Sequence, residues 1–245
     1  MKNPSEMSAP APDADGPAPT VPNRRSLAGI GLVVLGCALL VGLAGVGYRK
    51  FQEAQETACV SVTIDHLAAI DRMLWAYAQE HNGRYPETDA SGRPFTNSNE
   101  FFRALLASSK ENNEEILTVP GGPTHADGQL GEPPGFSEAA KPGECHWAVA
   151  KGVKLGDGFD PLVWENSLGG GWNPTWDPTL DRDEPGSTSS RARIFILSSD
   201  LSIRSYKLAE MEKPSRLEKL GTPGPNLFER VQPREVLDPV GLKRK

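Results

Sequence analysis

The feature that most constrains this chain is a run of 23 uncharged, mostly apolar residues, 26–48, near its N-terminus. A helix rises about 1.5 Å per residue, so a helix of this length covers the hydrocarbon core of a bilayer, which is about 30 Å thick. Arg24 and Arg25 precede the run, and Arg49 and Lys50 follow it. The run therefore predicts a transmembrane helix that acts as a signal anchor.

Three other interpretations of this run have weaker support. Residues 34–37 loosely match a lipoprotein cleavage box, but the apolar sequence continues well past Cys37. Residues 24–27 resemble a twin-arginine export signal, but no Ala-x-Ala cleavage site follows. A cleaved secretory signal normally begins nearer the N-terminus and has a shorter apolar stretch.

The basic residues around the run indicate its orientation. Lys2, Arg24 and Arg25 lie before the run, whereas only Arg49 and Lys50 lie in the twenty residues after it. Because cytoplasmic flanks carry the excess of Lys and Arg, this asymmetry favours a cytoplasmic N-terminus and a soluble domain on the other side of the membrane.

Composition limits the remaining classes of protein. Residues 1–25 are rich in Pro, Ala and Asp and contain no Leu, Ile, Phe, Tyr or Trp, so this segment is predicted to be disordered. The net charge of −6 argues against a nucleic-acid partner, which would require a basic face. Three cysteines are too few for a disulfide scaffold.

The helix is expected to continue beyond the apolar run. No Pro or Gly occurs from residue 49 to residue 82, and Asn82-Gly83 followed by Pro86 is a typical helix end. Apolar residues recur at spacings of three or four: Val60, Ile64, Leu67, Ile70, Leu74 and Tyr77. The pattern predicts one long helix, 27–82, whose second half packs on a soluble domain.

Shorter elements follow. Asn97 and Glu100 have the spacing of a capping box and predict a helix over 98–109. Short strands are predicted at 116–119, 146–150 and 162–164, and a hairpin is predicted from 193–197 and 202–208. Residues 120–144 and 166–190 contain too much Pro and Gly for regular structure. The tail, 209–245, is expected to be irregular and peripheral.

A long N-terminal helix on a small sheet resembles the type IV pilins and the type II secretion pseudopilins of bacteria. Residues 59–86 read CVSVTIDHLAAIDRMLWAYAQEHNGRYP, similar to the soluble half-helix and Asn-Gly-x-Tyr-Pro exit of pseudopilins. Residues 147–164 and 194–203 resemble their later strand segments more loosely. The resemblance implies an α+β, pilin-like fold: a long N-terminal helix, with a transmembrane half and a soluble half, packed on a small antiparallel sheet with long irregular loops.

The resemblance also implies an organisation and a location. The expected parts are a disordered segment 1–25, a transmembrane helix 26–48, a pilin-like extracytoplasmic domain 49–208 and the tail 209–245. The location implied is the bacterial inner membrane, crossed once. The run lacks the Gly-Phe junction and the following Glu of pilin precursors, so we expect no prepilin cleavage, and polymerisation is in doubt.

No catalytic pattern is present in the sequence. There is no Gly-x-Ser-x-Gly motif, phosphate loop or dinucleotide fingerprint, and the four histidines form no metal-binding pair. The chain is therefore predicted not to be an enzyme and to need no cofactor. Asp177, Asp181 and Asp183 form a weak calcium candidate, for which a solvated loop is the favoured alternative.

Two further groups of residues are candidate functional features. Trp164, Trp172 and Trp176 can form a binding platform for a sugar or a protein, although a small core beneath loops is the favoured alternative. In an exported domain, Cys59 and Cys145 are a candidate disulfide pair, closing a loop of about 86 residues and stabilising by about 4 kcal/mol in the chain-entropy model. The alternative is that Cys59 and Cys145 are both free thiols.

The leading functional prediction is a single-pass, membrane-anchored, pseudopilin-like structural or interaction protein of a secretion- or pilus-related assembly. Its expected partners are membrane lipid and other pilin-like or secretion-system subunits. The alternatives are a membrane-tethered module that binds carbohydrate or protein through the Trp-rich loops, and a hydrolase without a recognisable motif.

Overall fold

The fold is known from a computed structural model that describes residues 24–110, 113–190, 193–209, 214–217 and 225–242. Within the first helix, side chains are described from residue 41 onward, except that of Leu43. The segment predicted to be disordered, 1–25, lies almost entirely outside the described residues. The chain divides into two compact units, residues 1–51 and 52–245.

Helix α1 comprises Arg24–Glu80 and ends as its sequence predicts. Asn82 and Gly83 take positive φ angles of 55° and 76°, and the Gly83 N–H donates to the carbonyl of Ala78 at 2.8 Å. This left-handed turn satisfies a carbonyl of the last helical turn. In the second unit, the buried face of α1 includes Leu67, Ile70 and Leu74.

The membrane-spanning prediction is wrong. Among the residues whose side chains the structure describes, no helix is long and apolar enough to cross a membrane. The described part of α1 soon becomes charged, at Arg49, Lys50, Glu53 and Glu56. This finding overturns three predictions. They are the transmembrane helix over 26–48, the pilin-like fold with a transmembrane half, and the single-pass inner-membrane location with a periplasmic domain. The side chains of residues 26–40, which gave the run most of its hydropathy, lie outside the described set.

Helix α2 comprises Ser98–Ser108 and confirms the second predicted helix. The Asn97 side-chain oxygen accepts from the Glu100 N–H at 3.0 Å, as the capping pattern predicts. The Glu100 carboxylate reaches back one residue further than expected, to the Thr96 N–H at 2.8 Å. Phe101, Phe102, Leu105 and Leu106 form the buried face of α2.

The sheet has five antiparallel strands in the order β4-β3-β2-β1-β5. The strands are β1 Trp147–Ala150, β2 Pro161–Glu165, β3 Arg193–Ser198, β4 Ile203–Lys207 and β5 Val236–Leu237. Ala148 of β1 lies opposite Trp164 of β2, which lies opposite Ile196 of β3. Four of the predicted strands are thereby confirmed. β5 comes from the tail that was expected to be irregular, and it forms an edge of the sheet by pairing with β1.

The predicted strand at 116–119 is wrong, because this segment begins with a 3₁₀ helix, Glu114–Leu117. The Asn113 side chain caps its first turn by accepting from the Glu115 N–H at 3.0 Å. The carbonyl of Leu117 accepts from the His146 N–H at 2.7 Å, just before β1. The described apolar side chains of α1, α2, the 3₁₀ helix and the sheet form one hydrophobic core.

Candidate functional site

The three tryptophans proposed as a binding platform belong to the core. Trp164 and Trp176 are fully buried, and Trp172 is half-buried. Trp164, Trp172 and Phe228 meet edge to face, with ring centroids 5.1 to 6.1 Å apart. The indole N–H of Trp172 donates to the Phe228 carbonyl at 2.9 Å. The three rings therefore pack as a small core beneath loops, which is the alternative favoured from the sequence, and they stabilise the loops beside β2.

The acidic loop does not assemble a calcium site. Asp177 accepts hydrogen bonds from the backbone N–H and the hydroxyl of Thr179, at 2.8 and 2.6 Å. Among the described residues, the carboxylates of Asp177, Asp181 and Asp183 do not converge as a metal-binding group. These hydrogen bonds are typical of a turn in which an Asp side chain accepts from the backbone two residues further along.

A different set of carboxylates converges instead. Oxygens of Glu114, Asp127 and Glu144 all lie within 4.8 Å of one another, and Glu114 and Glu144 are buried. Glu114 accepts from the Ala140 N–H at 2.5 Å, and Glu144 accepts from the Lys141 N–H at 2.6 Å. The Lys141 ammonium lies 3.0 Å from Asp127. No local pattern of residues indicates this cluster, because its members are up to thirty residues apart.

The electrostatics of this cluster follow from burial and crowding. Burial, together with the charges of Glu144 and Asp127, raises the pKa of Glu114. A backbone hydrogen bond from Gln129 and the Lys141 ammonium lower the pKa of Asp127. Hard cations prefer carboxylate oxygens as ligands. In this cluster, however, the hydrogen bonds of the carboxylates tie the 3₁₀ helix to the loop that follows it.

A second buried polar group surrounds Glu165 at the end of β2. Its carboxylate accepts from the Ser189 hydroxyl at 2.7 Å, the Ser189 N–H at 2.8 Å and the Phe195 N–H at 3.1 Å. The His146 ring lies 3.9 Å from Glu165 and within 2.8 Å of the Asn166 amide nitrogen. In a catalytic triad the hydroxyl bonds the imidazole, whereas here it bonds the carboxylate. The arrangement fixes the loop at 187–190 on the sheet.

The candidate disulfide pair is not joined. Cys59 and Cys145 are buried free thiols. The Cys59 sulfur lies 3.4 Å from the Pro120 carbonyl, and the Cys145 sulfur lies 3.6 Å from the Trp147 carbonyl. Burial raises the pKa of both thiols, that of Cys145 to about 12. Both are therefore protonated and unreactive near neutral pH.

A groove of about 620 Å³ lies beside α2. One wall comes from Tyr77 at the end of α1, and another comes from the loop that carries Asp89, Arg93 and Phe95. Arg103, on α2, completes the lining of the groove. The groove therefore combines an apolar lining with two cationic side chains, those of Arg93 and Arg103.

The part of α1 in the first unit presents apolar side chains to solvent. The exposed fractions are 72% for Val41, 57% for Val46, 65% for Tyr48 and 57% for Phe51. A Cβ added at Gly42, Gly45 or Gly47 would meet no atom within 4 Å. The described side chains of residues 41–51 are all exposed, and we call this segment the exposed stretch of α1.

No family model, curated protein or solved structure matches the chain. Its function has to be argued from its own residues.

Proposed function

We propose that this chain is a structural or interaction protein that binds another protein subunit through the exposed stretch of α1. The observation that carries the proposal is the exposure of Val41, Val46, Tyr48 and Phe51 on one short helical segment. Of these, Val41, Tyr48 and Phe51 fall within about 80° of one another around the helix, and an apolar patch that a chain leaves uncovered often marks an interaction site. Participation in a secretion- or pilus-related assembly stays a prediction from the sequence motifs.

The energetics favour a partner over an isolated helix. Each glycine in a helix interior is less favourable than alanine by about 1 kcal/mol, and Gly42, Gly45 and Gly47 lie within six positions. Most helical stability in proteins comes from packing of an apolar face. Covering a Val or Phe side chain contributes about 1.5–3 kcal/mol, so a partner that covers Val41, Tyr48 and Phe51 offsets the glycine cost.

The glycines also favour a particular kind of partner. Their open Cβ positions allow another backbone to approach closely, as between helices that meet at small residues. Tyr48 and Phe51 supply the large side chains that a partner can cover. An apolar helix of another subunit fits this surface better than a small ligand, because the stretch is convex and about three helical turns long.

Site-specific photo-cross-linking tests the proposal. The full-length chain is made in its own host with benzoylphenylalanine at position 48 or at position 159, and is irradiated in the cells. Phe159 is the matched control, because it is an aromatic side chain that is 55% exposed on another surface. We expect a defined protein adduct from position 48, identified by mass spectrometry at both cross-linked residues, and none from position 159.

Substitution provides the second measurement. Because Tyr48 is itself replaced in this variant, benzoylphenylalanine is placed at position 41, on the same side of the helix. Tyr48→Asp with Phe51→Asp places two charges on the exposed stretch and is expected to abolish the cross-link from position 41. Equal yields from positions 48 and 159, or a complex unaffected by the double substitution, would contradict the proposal.

A further inference from the structure

The groove beside α2 has the size and lining of a small-ligand site. Its volume of about 620 Å³ lies inside the range usual for pockets that enclose such ligands, and most of its surface is apolar. The apolar side chains that line it include those of Tyr77, Pro86, Phe95, Ala104, Ala107 and Pro134. The ring of Tyr77 is held parallel to that of His81 at 3.8 Å, which fixes its orientation.

Arg93, at the rim of the groove, is already neutralised. Its guanidinium lies 3.1 Å from Asp89 and 3.1 Å from Glu100. Glu100 also accepts from the N–H and the hydroxyl of Thr96, at 2.8 and 3.0 Å. Arg93, Asp89 and Glu100 together carry one negative charge, so the lining is neutral once Arg103 is included, and Arg103 is its cationic side chain that forms no ion pair with any described carboxylate.

Arg103 is oriented but has no counter-charge. Its Nε donates to the Ala139 carbonyl at 2.8 Å and its Nη2 donates to the Ala140 carbonyl at 3.4 Å. Within the described part of the chain, no carboxylate pairs with this half-buried guanidinium, and Nη1 has no acceptor. An unpaired charge partly removed from water is costly, and a bound carboxylate removes that cost through charge-assisted hydrogen bonds.

We propose that the groove binds a small carboxylate with an apolar body, whose carboxylate pairs with Arg103 and whose body packs between Phe95 and Ala104. The carbonyls of Ala139 and Ala140 hold one edge of the guanidinium, so its remaining donors are already oriented for the ligand. This site is separate from the exposed stretch of α1 and does not depend on the proposed function.

Calorimetric titration of the full-length chain tests the assignment with two probes, 3-phenylpropionate and its uncharged counterpart 3-phenylpropanamide. We expect saturable binding of the carboxylate and binding of the amide weaker by about tenfold or more, since a bond to a charged group contributes about 1.5–3 kcal/mol. Arg103→Gln keeps a side-chain N–H donor but removes the charge, and is expected to lower the carboxylate affinity about tenfold while leaving that of the amide unchanged.

The matched control is Arg204→Gln, which removes the same charge from β4, outside the groove. It should change both affinities by less than about twofold, because Arg204 does not line the groove and its exposed charge is screened by salt. Ala104→Phe fills the groove without touching the charge and should abolish binding of both probes. Thermal denaturation establishes that each variant is folded.

Three results would overturn the inference. They are no saturable binding of 3-phenylpropionate, equal affinities for the acid and the amide, and equal losses in Arg103→Gln and Arg204→Gln. A peptide with a free C-terminal phenylalanine that binds more tightly than 3-phenylpropionate, and loses its affinity on amidation, would assign the groove to a protein partner instead.

Discussion

The Glu165 carboxylate is predicted to be the polar group on which the stability of the sheet depends most. It is fully buried and accepts three hydrogen bonds, two from Ser189 and one from the Phe195 N–H. Replacing it perturbs the connection between the end of β2, the loop at 187–190 and β3. The perturbation is chemically small in Glu165→Gln and large in Glu165→Ala.

The magnitudes follow from the contacts. In Glu165→Gln the amide group replaces the oxygen that accepts from the Ser189 N–H, so one charge-assisted bond is lost and a buried donor is left unpaired. That loss should lower the free energy of unfolding by about 2–3 kcal/mol. Glu165→Ala loses all three bonds and leaves a cavity, and should cost about 4–5 kcal/mol.

Urea unfolding followed by tryptophan fluorescence measures these differences, because the linear extrapolation gives the free energy of unfolding and its slope m. Glu235→Gln is the matched control. Its carboxylate pairs with Lys151 at 2.6 Å but is mostly exposed, so it should cost less than about 1 kcal/mol. Glu165→Gln and Glu235→Gln variants that agree within about 0.5 kcal/mol, with unchanged m, would refute the reasoning.

Three further predictions concern local features. Asn97→Ala removes the cap of α2 and should cost about 1 kcal/mol in the same assay; an unchanged midpoint would contradict the capping role. Gly241→Ala should lower the free energy of unfolding by about 2 kcal/mol more than Gly92→Ala does. Both glycines have a positive φ angle, but only a Cβ at position 241 would lie 2.5 Å from a backbone atom, the carbonyl carbon of Pro142. The Cys145 thiol ionises near its ordinary pKa of about 9 when unfolded and at about 12 when folded, so its contribution to stability is complete below pH 9 and is lost between these values. The loss of stability over this interval should be smaller in Cys145→Ala than in the unsubstituted chain, and iodoacetamide at pH 8 should label Cys145 only after unfolding.

The sequence by itself determined the elements whose signals are local. The cap of α2 joins Asn97 to a residue three positions away, and the left-handed end of α1 needs only Asn82 and Gly83. The β3–β4 hairpin forms across a short polar turn at 199–202. In each case the hydrogen bonds join neighbours in the chain, so residue type and spacing are sufficient.

The run at 26–48 shows where a local signal misleads. Length and hydropathy alone predicted a transmembrane helix, yet none of the described helices is long and apolar enough for one. The apolar segment at 116–119 was equally ambiguous. Its carbonyls bond His146 and the Trp147 indole, thirty residues away, and the segment turns as a 3₁₀ helix instead of joining the sheet.

Only the tertiary structure decided which polar and aromatic groups meet. Phe228, from the tail, covers Trp164 and Trp172 and turns a candidate platform into core. Glu114 meets Asp127 and Glu144, and Arg103 faces the groove without a carboxylate, only because the loop at 127–144 folds back on α2. Burial and the pairing of charges depend on residues far apart in the chain, and no pattern of spacing in the sequence records them.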